Sequence, residues 1–467
     1  MKRKKGFLFI IGVGMAVASL LASCVDDEDF STSRGDVLSF SVDTLQMDTV
    51  FSNVPTPTQS FWVYNRSSGA LRCSSVRLQR GGESGYRVNV DGTYLGESVG
   101  FQTQDVEILK GDSIRVFVEL TAPVQHADEP QKVSDDLVFQ LESGVEQKVN
   151  LKACSWDALL LGDWQVDEDA RLESAKPVLV RGGIRVGENA KLTIAAGTRL
   201  FFHEDAGLQV YGSLRVEGER GKEVMMRGDR LDHMFSYLPY DRTPGRWQGI
   251  RLKSSSHDNL IQYADIHSAY DGIVVEGNEE GGSGDARLKL GNASPKLTML
   301  NATVHNCQGF GVKTSSSKVR LMNCLLSNAL DNCLCVKGGD VELNGCTLAQ
   351  FYPFDARHGA ALLVEGQETL FSLKNSLVTG YRDNEVELED DASADFLTSV
   401  VRMGKGVDVG EKNFRLIDTD NLKYDFHLSD ASAAIGAADA ATSLAVDRDG
   451  VKRTATPSAG CYEYSGE

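Results

Sequence analysis

Between Gly183 and about Leu388, three short apolar segments return every 21 to 25 residues, with a few insertions. Gly183-Ile184-Arg185-Val186 returns 24 residues later as Gly207-Leu208-Gln209-Val210. Lys191-Leu192-Thr193-Ile194 returns 22 residues later as Ser213-Leu214-Arg215-Val216, and Leu200-Phe201-Phe202 returns 24 residues later as Val224-Met225-Met226. Each segment has the length of a strand. A near-constant period means that each repeat stacks on the last and buries an apolar face it cannot bury alone. The expected fold class is all-β, with every repeat giving one strand to each of three sheets.

The pattern continues. First strands are predicted at Gly249-Ile250-Arg251-Leu252, Gly272-Ile273-Val274-Val275, Gly309-Phe310-Gly311-Val312, Asn332-Cys333-Leu334-Cys335 and Ala360-Ala361-Leu362. Trp247, just ahead of one of them, reads as a packing residue. Between second and third strands lie Asn301, Asn323, Asn344 and Asn375. Asparagine at a tight corner bonds the backbone and tolerates left-handed geometry. This column resembles the asparagine ladder of right-handed parallel β-helices, over roughly residues 156–430. The resemblance implies a solenoid over 156–410, with Trp156 to Pro177 closing its N-terminal end, since an open end exposes apolar core and strand edges. The order Lys423-Tyr424-Asp425-Phe426-His427-Leu428, Asp447-Arg448-Asp449-Gly450 and Gly460-Cys461-Tyr462-Glu463-Tyr464 resembles the closing segment of bacterial extracellular β-helix proteins, which implies a C-terminal cap over 411–467. Asp447 and Asp449 are too few for a calcium loop and read as a turn.

Residues 37–155 alternate apolar and polar in six or seven short strands, as in Ser60-Phe61-Trp62-Val63-Tyr64 and Ser113-Ile114-Arg115-Val116-Phe117-Val118. Turn signals such as Asp91-Gly92 and Lys110-Gly111-Asp112 divide several of them, which predicts an immunoglobulin-like β-sandwich. Asp43-Thr44-Leu45, Asp48-Thr49-Val50-Phe51 and Val63-Tyr64-Asn65 resemble the N-terminal immunoglobulin-like module of Bacteroidota-type surface lipoproteins. The triplets at Thr44 and Thr49, and Asp112-Ser113-Ile114, are also similar to O-glycosylation sites of that lineage. Ordinary strand threonine and serine is the simpler reading.

Residues 1–23 combine a basic Lys2-Arg3-Lys4-Lys5 with a short apolar stretch from Phe7 to Leu21, the outline of a signal peptide. Leu21-Ala22-Ser23-Cys24 resembles the lipobox of bacterial lipoproteins, which implies cleavage before Cys24 and attachment of lipid, including palmitate, to it. The acidic run Val25-Asp26-Asp27-Glu28-Asp29 opens a tether over 24–36 and resembles a surface-export signal. The implied address is the outer membrane, facing outward, with the membrane as partner through that lipid. A formal net charge of −18 excludes nucleic acid as a partner, since phosphate binding needs a basic footprint. Oligomeric state is left open.

Many β-helices of the pectate-lyase-like type cleave polysaccharide in a cleft on the sheet of first strands. Here long insertions at 227–246, 276–295 and 349–358 supply walls. The predicted floor, the outward row Arg251, Val274, Gly311, Leu334 and Ala361, carries one arginine and no carboxylate. A hydrolase needs two carboxylates across the scissile bond. Asp241, His257, Asp258, Asp271 and Asp355 are available from loops, but each alone reads as a turn residue or surface charge. Cys333 and Cys335 are expected to point inward beside Cys324 and Cys346 as core filler and not as a zinc site; disulfides among the nine cysteines stay open. No metal or cofactor is expected. Candidate ligand contacts are Tyr240, Asp241, Phe351, Tyr352, Phe354, Asp355, Arg357 and His358, where aromatics and polar groups share loops. The loop bearing Phe351 can equally fold down and bury its own rings. The function expected is non-catalytic display of the solenoid for carbohydrate binding, adhesion or surface organisation, with a polysaccharide lyase or glycoside hydrolase as the alternative. Replacing Cys24→Ala should abolish palmitate labelling and release the chain from the membrane fraction; unchanged labelling would dismiss the anchor.

Overall fold

The structure is a computed structural model that describes residues 29–235, 237–277, 294–366, 369–389, 392–404 and 410–466. Cys24, the leader and most of the acidic run lie outside the described residues, as does most of the 276–295 insertion. The described residues are almost all strand and turn, with no α-helix. They form two compact units.

The N-terminal unit takes in 53–123, 132–153 and the stretch before Asp48. One sheet has five strands: Leu38–Phe40, Gln59–Asn65, Ser113–Leu120, Tyr86–Val90 and Thr93–Tyr94, each antiparallel to the next. A second sheet has six strands and includes Leu71–Leu78 and Gln131–Leu141, paired antiparallel. Alternation decides which side chains are inside. Phe61, Val63, Val116 and Val118 are buried, while their neighbours Trp62 and Phe117 face water. Phe40 of the first sheet meets Phe139 of the second with ring centroids 5.1 Å apart. Thr44 and Thr49 are half-buried within the strand Thr44–Phe51.

In the second unit every strand of the repeat pairs in parallel with its counterpart in the next. Third strands make a ten-stranded sheet from Leu159–Leu161 to Val400–Val401. First and second strands share a sixteen-stranded sheet, because Val312–Met322 and Leu334–Asn344 run through both positions without a break. The residues 156–177, expected to close the N-terminal end, supply the edge strands of both sheets there. Leu159–Leu161, Trp164–Val166 and Ala170–Leu172 pair in register with the next repeat and so form a repeat of their own. Inward side chains such as Val186, Val210, Leu252 and Val275 build one continuous apolar core. Trp247 is fully buried, stacks on Phe202 at 4.4 Å and donates its indole N–H to the carbonyl of His267 at 2.8 Å.

The corner between second and third strands is left-handed at Asn301, Asn323 and Asn375, with φ of 52°, 52° and 50°. Asn344 is not in this column. It ends a strand, paired with Met322, and Gly345 at φ 63° makes the turn instead. Glycine reaches that region at no steric cost.

The last residues run along the side of the stack. Leu325, Ala349, Phe351 and Leu377 of the third-strand region pack against Phe414, Phe426, Leu428, Ala459 and Cys461. Asn323 at the corner and Asn344 at the strand end both serve this segment: Asn323 Nδ2 donates to the carbonyl of Val446 at 3.0 Å and Asn344 Nδ2 to that of Thr442 at 2.9 Å. Asp447 makes a turn, accepting the N–H groups of Asp449 and Val451 on one oxygen and that of Glu463 on the other. Arg453 and Glu463 form a buried ion pair at 3.3 Å, with side chains 4% and 3% exposed. Arg453 also donates to the carbonyls of Ser458 and Gly460 and to Asn323 Oδ1. Removing one partner of such a pair strands the other charge in low dielectric. Glu463→Ala should therefore cost about 3–5 kcal/mol, read as a lower urea midpoint.

Candidate functional site

The outward face of the first strands is set by a run of registered pairs: Gln165, Arg185, Gln209, Arg251, Val274, Lys313, Cys335, Leu363 and Glu387. This corrects the predicted floor beyond Val274. Gly311, Leu334 and Ala361 are replaced by Lys313, Cys335 and Leu363. The error lay in taking Gly309 as the counterpart of Gly249 and Gly272. Gly311 is the true counterpart, since a Cβ there would stand 2.5 Å from the carbonyl oxygen of Cys333. Leu334 is consequently fully buried. Cys333 points into the core, as expected, but Cys335 belongs to the outward row and is 3% exposed. The eight described cysteines are unpaired, and burial pushes the thiols of Cys307 and Cys461 up to about 12.

Along this face lie two cavities. One, of 450 Å³, is lined by Asp163, Trp164, Arg185, Asp205, Gln209, Gln248 and Arg251. The other, of 680 Å³, is lined by Phe310, Asp331, Asn332, Asp355, Arg357, Leu363 and Glu387. Between them Arg251 lies 3.3 Å from Glu276 and 3.9 Å from Asp271, and Lys253 lies 2.8 Å from Glu276. Lys313 sits 4.3 Å above the ring of Phe310. The corrected floor carries amides and cations at Gln165, Arg185, Gln209, Arg251 and Lys313 and a carboxylate at Glu387, with Val274, Cys335 and Leu363 among them.

Two carboxylates in this stretch differ in kind. Asp271 accepts the N–H of Phe310 at 3.0 Å. Asp331 is raised above its ordinary value by burial and, next, by the charge of Asp271. Asp331 was missed in the sequence, although it stands near the same strand entrance as Asp271, two repeats on: Gly309 N–H donates to the carbonyl of Tyr270 and Asp331 N–H to that of Gly309.

The loop residues predicted as ligand contacts divide. Asp355 and Arg357 reach the larger cavity; bonds from the Arg357 N–H and guanidinium hold the carboxyl of Asp355 below its ordinary value. Phe351 is fully buried, edge-on to Phe414 and Tyr381. Tyr352 is buried beside Phe354, which stays 39% exposed, and His358 is buried. The loop folds down over its own aromatics. Tyr240 has the Arg230 guanidinium 4.1 Å from its ring and that of Arg246 at 5.5 Å, so cations already hold its π-system. Asp241 pairs with Arg227 at 3.3 Å on the third-strand side. Among the described residues, Asp265, His267 and His305 bring three metal-ligating atoms within 4.8 Å of one another, also on that side.

No family model matches the chain, and no curated protein does. Solved structures with some likeness include a protein of unknown function from Porphyromonas gingivalis W83, at 19% identity and a TM-score of 0.19, covering 26% of this chain and 46% of that one. A family 123 glycoside hydrolase from Clostridium perfringens is 8% identical with a TM-score of 0.18, covering 28% and 30%. The catalytic unit of a GH87 alpha-1,3-glucanase from Streptomyces thermodiastaticus is 11% identical with a TM-score of 0.17, covering 73% and 72%. The chain spans less than half the length of the first two.

Just before Val386–Leu388, the last of the first strands, Glu385 is buried. Its carboxylate accepts the N–H groups of Arg382 and Ala361 at 2.7 and 2.9 Å. Burial outweighs these bonds and pushes the carboxyl from 4.5 up to about 7. The folded chain therefore holds this proton more tightly than the unfolded one. The associated stability is whole below pH 4.5 and is lost as pH rises through 7. It amounts to about 3 kcal/mol. Urea unfolding at pH 5 and pH 8 should show this loss in the parent chain and a smaller one in Glu385→Gln.

Proposed function

We propose that the chain is an outer-membrane lipoprotein, anchored through Cys24 and facing outward, that binds polysaccharide without cleaving it. In this reading residues 37–155 form an immunoglobulin-like β-sandwich, supported by two sheets with alternating burial. Residues 156–410 form a right-handed parallel β-helix, supported by parallel registers at all three strand positions. The membership in Bacteroidota-type surface lipoproteins rests on the leader, Cys24 and the acidic run.

The observation that carries the binding function is the first-strand face itself. Arg185, Gln209 and Arg251 line one cavity and Glu387 the other, with Lys313 in the row between them. Parallel strands recur about every 4.8 Å, so a lengthwise polymer meets four polar side chains in succession from Gln165 to Arg251, then Lys313 and Glu387 among apolar ones. Hydroxyls and carboxylates of a sugar chain match guanidinium, ammonium and amide donors, and Trp164 and Phe310 add apolar surface.

A second reading, glycoside hydrolysis, is favoured by one observation. Asp331 is raised while Asp271 charges its surroundings, the asymmetry that an acid and its partner carboxylate need. The two readings separate on one assay. Against a panel of polysaccharides, the parent chain should bind at least one and release no reducing ends or unsaturated uronates. Arg251→Ala and Lys313→Ala should each weaken binding by about tenfold. Products that appear with the parent chain and vanish in Asp331→Asn would replace binding by hydrolysis; absence of binding across the panel would sink both.

A further inference from the structure

The strands Ala264–His267 and Thr303–Cys307 are parallel neighbours in the third-strand sheet, with His267 directly beside His305 and Asp265 beside Thr303. Side chains at i and i+2 share a face, so Asp265 and His267 both point outward, and His305 joins them from the next repeat. The result is two imidazoles and one carboxylate at one spot. Asp265 Oδ1 lies 3.0 Å from His267 Nδ1 and 3.1 Å from His305 Nε2. The imidazole rings stack with centroids 4.7 Å apart and planes 21° from parallel.

We propose that Asp265, His267 and His305 bind a single divalent transition metal, with zinc the best match. Two imidazole nitrogens and a carboxylate oxygen are a set of borderline ligands suited to zinc and not to calcium, which takes oxygen alone. With zinc–ligand bonds of about 2.0–2.1 Å, tetrahedral ligands stand about 3.3 Å apart. The two oxygen–nitrogen separations already lie within a few tenths of that value. Only the imidazoles need to close on each other. Three protein ligands leave a fourth position for water or a ligand group, the pattern of open zinc centres.

The surroundings hold the set in place. The side chains of His267 and His305 are 8% and 15% exposed, while that of Asp265, at 39%, keeps a path to solvent. The carbonyl of His267 is fixed by the buried indole of Trp247, and the hydroxyl of the next residue, Ser268, donates to the carbonyl of Asp241. Arg227, whose charge acts on His267, is matched by Asp241 at 3.3 Å, so its charge against an incoming dication is offset. The site stands on a different sheet from the first-strand face and needs no glycan.

The full chain, stripped with chelator and titrated calorimetrically with Zn²⁺, should take up one equivalent at this site and unfold at a higher temperature when loaded. Asp265→Asn and His305→Ala should weaken that uptake by about tenfold or more. His427→Ala, in the exposed Asp425–His427–Asp449 group, should leave it unchanged and so serves as the control for loose cation binding by an acidic chain. If either variant fails to fold, Co²⁺ loaded into the parent chain decides. A tetrahedral visible spectrum without thiolate charge-transfer bands supports the nitrogen and oxygen set; thiolate bands place the metal on the cysteines and overturn the proposal. Absence of stoichiometric uptake, or equal uptake by Asp265→Asn, also overturns it.

Discussion

The backbone column at the entrance to the first strands is the contact on which the second unit depends. The N–H of each strand's first residue donates to the carbonyl of the residue before the next repeat's strand. Ile184 donates to Gly207, Leu208 to Gly249, Ile250 to Gly272, Ile273 to Gly311, Val312 to Cys333, Leu334 to Ala361 and Leu362 to Glu385, all at 2.9–3.0 Å. The column carries the pairing from one end of the stack to the other without a shift. Its first four acceptor residues, Gly207, Gly249, Gly272 and Gly311, are glycines for a steric reason. A Cβ on Gly249 or Gly272 would collide with the backbone of the next repeat. Register matters more than any single bond here, because a slip of one residue would exchange core and surface along an entire strand.

The chemistry of the first-strand face follows from that column. With the corner residue fixed, the second strand residue must point outward, which delivers Arg185, Arg251, Lys313 and Glu387 to one row. Asp271 and Asp331 stand at or beside the same corner in their own repeats and approach closely enough for one charge to raise the other's carboxyl. Where the corner residue is Glu385 and not glycine, its side chain turns to the backbone of Ala361 and Arg382. A carboxyl group is thus enlisted to satisfy amides at the end of the stack, and its contribution to stability is lost as pH rises through 7.

Most of the second unit was legible in the sequence, because period and alternation are direct consequences of stacking. The third strands and the early first strands fall where the apolar triplets predict. Two kinds of residue misled. Gly309-Phe310-Gly311 offers two glycines for one corner, and only the close approach of Cys333 shows which is used. Past it, Cys333, Ala361 and Glu385 carry side chains, so the glycine marker disappears and the outward row was displaced by one or two residues. Asn344 misled for a related reason: Gly345 beside it is the better left-handed residue, leaving Asn344 inside a strand. The lateral path of residues 410–466 had no periodic signal at all. It is specified by single long-range bonds, such as Arg453 to Asn323, that no local pattern encodes.

The two outward faces of the stack show why one was easier to read than the other. The first-strand face stays open, so its charged residues can be solvated or shared with a ligand even where, as at Arg251, a neighbouring carboxylate pairs with them. The third-strand face is partly covered: its apolar residues meet the C-terminal segment, and its polar residues must find partners beneath the neighbouring loop. Asp265, His267, His305, Arg227 and Asp241 satisfy one another there, because a buried polar group left alone costs more than any packing gain returns. Their grouping depends on a partner one repeat away, so it leaves no motif in sequence. His267 and His305 stand 38 positions apart, a spacing stretched by the insertion between their repeats, and meet only because the stack holds their strands in register.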